Sequence, residues 1–66
     1  MQEGRKGKVE TVSESRGRGF IVDKTSGEHY VVKLEDMEPE LQEGEDILYE
    51  LDFTKTCPTA INVRKA

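Results

Sequence analysis

The sequence has no tryptophan, one histidine (His29), one cysteine (Cys57), two prolines and only four aromatic residues among 66. Each shortage excludes something. A lone cysteine cannot form an internal disulfide, and no apolar stretch follows the basic residues of MQEGRKGKVE, so no secretory leader is expected. Together these two features predict a reducing, cytoplasmic setting. Apolar runs extend for only a few residues, against the roughly 20 that a spanning helix needs, so no membrane partner is expected. His29 stands alone beside a turn, and Cys57 has no second sulfur and no suitably placed histidine, which leaves neither a catalytic pair nor a metal set. The acid pairs Glu35-Asp36 and Glu45-Asp46 are adjacent, and neighbours in an extended strand point to opposite faces, a poor arrangement for paired acid–base work. No phosphate-binding or dinucleotide glycine motif occurs. No catalytic residue, metal site or cofactor is therefore expected, and the chain is not expected to be an enzyme.

What is present is charge, at 36% of residues, against 33% hydrophobic. Sixty-six residues amount to one domain, 1–66, with residues 1–5 expected to be flexible. Such a chain buries only about 60% of the surface it exposes when unfolded, so the core must be small. The net charge of −4 conceals a division. Residues 35–50, EDMEPELQEGEDILYE, hold eight acids and no lysine or arginine, while the other fifty residues hold ten basic and six acidic groups. Either the acidic stretch only keeps a small domain soluble, or it faces away from a basic working surface.

Glycine and proline punctuate the chain at Gly7, Gly17, Gly19, Gly27, Pro39, Gly44 and Pro58. Between them the pattern predicts five strands: Lys6 to Val12, Arg18 to Asp23, His29 to Leu34, Ile47 to Phe53 and Thr59 to Arg64. The fourth alternates Ile47, Tyr49, Leu51 and Phe53 with Leu48, Glu50 and Asp52, apolar on one face and mostly polar on the other. Thr25-Ser26-Gly27 reads as a tight turn with Gly27 at positive φ. Pro39 and Gly44 limit any helix in Glu35–Leu41 to one turn. Five short strands at this spacing predict an all-β fold, a small barrel or sandwich.

The order and spacing of GKV at 7–9, RGRGFIV at 16–22, YVVKL at 30–34, LQEGE at 41–45 and PTAINVRK at 58–65 resemble the bacterial cold-shock domain. The resemblance covers nearly the whole chain from Gly7. It implies a five-stranded antiparallel barrel of the OB type that binds single-stranded RNA or DNA, with bases stacked on aromatics of strands one to three. Gly17, Gly19, Phe20 and Ile21 keep the second-strand motif, with Arg16 where the family has lysine. The implied inward residues are Val9, Ile21, Tyr30, Val32, Ile47, Tyr49, Leu51 and Val63.

The chain departs from the family where bases would stack. A Lys-Trp-Phe run becomes Glu10-Thr11-Val12, the first phenylalanine of the second-strand motif becomes Arg18, and the third-strand aromatics become Val31 and Leu34 with Lys33 between them. The loop after the third strand is short and lacks an aromatic common there. Only Phe20 remains of the platform, with Thr11, Val31 and Leu34 as its remnants. Lys8, Arg16, Arg18 and Lys33 supply cations around it.

Two functions follow. One is weak, largely electrostatic binding of single-stranded RNA or DNA, since lost stacking removes about 1–3 kcal/mol per base while backbone attraction survives. The other is a non-catalytic protein-interaction module on the same barrel, using Val31, Leu34 and the acidic segment. Taken alone, Arg16 and Arg18 also fit a solvated hairpin that charges a sheet edge. A monomer or weak homodimer is expected in either case.

Overall fold

The computed structural model describes residues 4–54 and 56–66. Among them the chain forms β1 (Arg5–Ser13), β2 (Arg18–Asp23), β3 (His29–Lys33), β4 (Asp46–Asp52) and β5 (Thr59–Lys65). A single 3-10 turn, Leu34–Asp36, follows β3, where Pro39 leaves no room for a longer helix. The strands close into a barrel in the order β1-β2-β3-β5-β4, with β4 returning to β1. Every pairing is antiparallel except β3 with β5, which are parallel at Val32 and Ala60. The fold is therefore all-β, and its architecture is consistent with the OB type. Of the expected flexible lead at 1–5, residues 1–3 lie outside the described residues, and Arg5 already belongs to β1.

Alternation builds the interior. On β2, Gly19, Ile21 and Asp23 are buried while Arg18 and Phe20 are exposed. The core is Val9, Ile21, Val32, Ile47, Tyr49, Ala60 and Val63, joined by Met37 and Leu41. Tyr30 and Leu51, expected inside, are partly buried against it. Phe53, expected on the apolar face of β4, lies just past the strand and is 62% exposed. Met37 and Leu41 come from the irregular stretch before β4, where no period predicts burial. Met37 is inside because it bridges to Val63 of β5.

Three local devices shape the β1–β2–β3 surface. Gly19 lies so close to β1 that a Cβ there would meet the Thr11 carbonyl oxygen at 2.7 Å. Beside it, β1 carries a bulge: Val9 pairs with Ile21 and Thr11 with Phe20, which leaves Glu10 as the extra residue. At the far end of β2 the chain reverses through Thr25-Ser26-Gly27, with Gly27 at φ 77° and its N–H donating to the Asp23 carbonyl (2.9 Å).

Candidate nucleic-acid interface

Strand register sets the outer face of β1, β2 and β3 in three rows. The first is Ser13, Arg18 and Lys33; the second is Thr11, Phe20 and Val31; the third is Lys8, Val22 and His29. The structure thus brings together Lys8, Thr11, Arg18, Phe20, Val31 and Lys33, all proposed from the sequence. Phe20 occupies the middle of the middle row and is 41% exposed. Arg16 is exposed in the turn that links β1 to β2, beyond the first row. Leu34 does not join the face. It belongs to the 3-10 turn, its N–H donates to the Gly17 carbonyl (3.1 Å), and its side chain packs against the core. The period of two that turns Val31 and Lys33 outward turns Leu34 inward, with Val32.

Arg18 and Lys33 are direct cross-strand partners. Like charges placed opposite one another destabilise a sheet unless something intervenes. Among the described residues no carboxylate lies within ion-pair distance of Arg16, Arg18 or Lys33. Several acids of 35–50 are engaged elsewhere. Glu38 accepts from the Lys65 backbone N–H (2.7 Å), Glu45 faces the Lys65 ammonium (3.8 Å), and Asp46 pairs with Lys24 (2.8 Å). Lys24, and more weakly Lys8, hold the Asp46 carboxyl below its ordinary value. Lys8 therefore marks the border between the cationic rows and β4.

One anion does sit on the face. His29 Nδ1 lies 2.6 Å from Glu10 Oε1, and both side chains are largely exposed. β1 and β3 flank β2, so this pair reaches across the outer surface of β2 beside Val22. The bulge makes the contact possible by placing Glu10 outward next to Thr11. Neither the bulge nor the pair has a signature in the sequence.

Asp23 ends β2 with its carboxylate buried. It accepts from the Thr25 N–H (2.7 Å), the Ser26 N–H (3.0 Å) and the Tyr49 hydroxyl, and the Arg5 guanidinium stands 3.8 Å away. The Tyr49 bond, with the two N–H donors and Arg5, holds this carboxyl below its ordinary 3.8, although burial opposes the shift. Burial and the Asp23 charge in turn push the Tyr49 hydroxyl well above the usual phenol range. Asp23 escaped the sequence reading, yet an aspartate two residues ahead of Thr25-Ser26-Gly27 is a recognised turn signal, since its side chain can bond backbone N–H groups further along.

Two clefts are lined by none of Lys8, Arg18, Phe20 and Lys33. One of about 440 Å³ is lined by Glu38, Glu40, Glu45 and Lys65, and another of about 310 Å³ by Val12, Leu34, Met37 and Leu41. Among the described residues no three His, Cys, Asp or Glu side chains gather in a metal-holding group, and no helix is long and apolar enough to cross a membrane.

The class that the fold and face define is a small OB-like barrel, consistent with a nucleic-acid- or peptide-binding module. No protein-family model matches the chain, and no curated protein is significantly similar to it.

Proposed function

We propose that this protein is a divergent cold-shock-type barrel that binds single-stranded RNA or DNA weakly, through the outer face of β1, β2 and β3, and that it acts by binding and not by catalysis. The observation that carries this reading is the Arg18–Lys33 pair. Two cations face each other across adjacent strands, without a carboxylate partner among the described residues, one step from the exposed Phe20 ring. A phosphate chain is the ligand that turns this repulsion into attraction. Arginine bonds phosphate in a bidentate fashion and can stack on a base, and Phe20 adds one stacking surface. With a single ring in place, affinity rests mainly on charge and is about micromolar or poorer at physiological salt.

A low-salt titration with short single-stranded oligonucleotides, followed by backbone amide shifts, tests the reading. The expected changes fall on β1, β2, β3 and the turn carrying Arg16. Unchanged amides there would pass the surface to the protein-interaction reading, with Val31 and Phe20 as its apolar contacts.

A further inference from the structure

We propose that the Glu10–His29 pair is a base-reading station that selects guanine next to the Phe20 stacking site. The inference rests on the single-strand reading above and adds a base preference to it. The three rows are asymmetric. On one side of the Phe20 row stand Arg18 and Lys33; on the other stand Lys8, Val22 and His29, with Glu10 reaching across to His29. Alternate residues of one strand are about 7 Å apart, so Phe20 has a cationic neighbour in one direction along β2 and the Glu10 carboxylate in the other. A nucleotide stacked on Phe20 has its phosphates drawn towards Arg18 and Lys33, which turns the free edge of its base towards Glu10.

That edge meets an acceptor of fixed orientation. An ionised carboxylate only accepts, so His29 Nδ1 carries the proton in the 2.6 Å contact and donates it to Glu10 Oε1. Among the described residues Oε2 has no hydrogen-bond partner, and Oε1 keeps a second lone pair. Two parallel acceptor sites suit two adjacent donors. Guanine presents such a pair on its Watson–Crick edge, at N1–H and N2–H. Adenine and cytosine each place a ring-nitrogen acceptor beside their single amino group, and uracil flanks its one N–H with two carbonyls. Each of these sets an acceptor against the carboxylate. Glu10 otherwise repels a polyanion, so its contribution must come from the base edge.

Fluorescence anisotropy with short labelled oligouridines carrying guanine, inosine, adenine or cytosine at the central position tests this. The guanine probe should bind at least about fivefold tighter than the adenine, cytosine and all-uridine probes, the low end for a bidentate contact. Inosine, which lacks the N2 amino group, should fall between. Glu10→Gln should abolish the guanine preference and at the same time tighten all-uridine binding, because a negative charge leaves the face. His29→Ala should weaken the preference by freeing the carboxylate. Binding without guanine preference would overturn the base-reading proposal alone, and a preference that survives Glu10→Gln would remove Glu10 from it. Failure of every probe to bind would overturn the single-strand reading and this proposal together.

Discussion

Tyr49 of β4 donates its hydroxyl to the buried carboxylate of Asp23 at the end of β2, a bond between residues 26 apart in sequence. The ring of Tyr49 is wholly buried and meets the Tyr30 ring at a centroid distance of 6.0 Å. The same aspartate caps the 25–27 turn that starts β3. One carboxylate therefore fixes the turn that sets β2 against β3 and ties that hairpin to the opposite wall of the barrel. The outer rows inherit their register from this anchor.

Tyr49→Phe keeps the ring and removes the donor, which leaves a buried carboxylate oxygen short of a partner. A hydrogen bond to a charged group contributes about 1.5–3 kcal/mol. In a domain of this size that corresponds to a fall in Tm of roughly 10 °C or more. Thermal unfolding followed by circular dichroism measures it. A Tm within about 2 °C of the wild-type value would mean that water or Arg5 replaces the hydroxyl at little cost.

Acid should reveal the same anchor. The folded Asp23 carboxyl lies below its ordinary 3.8, so its contribution is complete above that value and is lost as pH falls through the lower folded value. Urea midpoints measured from neutral pH down into the acid range should decline steeply below about pH 4. Asp23→Asn should be less stable than wild type at neutral pH, with the gap narrowing as acid protonates the wild-type carboxyl. A gap that stays constant with pH would mean that the charge of Asp23 contributes nothing. Asp46 shifts in the same direction through Lys24, but that pair is exposed and should be screened by salt.

The cationic rows and the Phe20 ring should separate in a salt series. If Lys8, Arg16, Arg18 and Lys33 each neutralise one phosphate, log K should fall with log salt at a slope of about −3, since a single-strand contact contributes about −0.7. Arg18→Ala should make the slope shallower by about 0.7 and weaken binding most at low salt. Phe20→Ala should weaken binding by about 1–3 kcal/mol at every salt concentration and leave the slope unchanged. Equal slopes for wild type and Arg18→Ala would take Arg18 out of the phosphate path.

The barrel was legible in the sequence because its strands obey a period of two. Each strand ends within one residue of its expected bounds, and the turn at Gly27 carries the positive φ that its residue type announces. Legibility stopped where order comes from tertiary contact. Met37 and Leu41 are buried from a segment without period, and Met37 is drawn in by Val63 of β5. Leu34 is a different case: the period that turns Val31 and Lys33 outward already turns it inward, and the 3-10 turn carries it against the core. The site was legible as residue types and not as an arrangement. Nothing local to Glu10 or His29 predicts their contact, which depends on a bulge in β1 and on β2 lying between them.

Restoring the lost rings tests whether the face keeps its binding shape. Thr11→Trp and Val31→Phe would place a ring on either side of Phe20 in the middle row, and Arg18→Phe would add one in the row beside it. Thr11 and Arg18 are exposed and Val31 is half-buried, so stability should change by about 0.5 kcal/mol or less per site, with cross-strand aromatic contacts acting in its favour. Each ring should add about 1–3 kcal/mol of single-strand affinity. The Arg18 exchange also removes a phosphate contact and leaves Lys33 without its like-charged neighbour, so its net gain should be the smallest and its salt slope shallower. The triple variant should bind at least about tenfold tighter than the natural protein, because 1.4 kcal/mol already corresponds to that factor. Most of that gain should come from Thr11→Trp and Val31→Phe, since those positions flank Phe20 directly and would make one continuous stacking row. A folded triple variant with no gain would mean that bases do not lie along this row. Phe20 and Val31 would then be contacts for a protein partner, and the unpaired Arg18–Lys33 couple would be the complement to its acidic side chains.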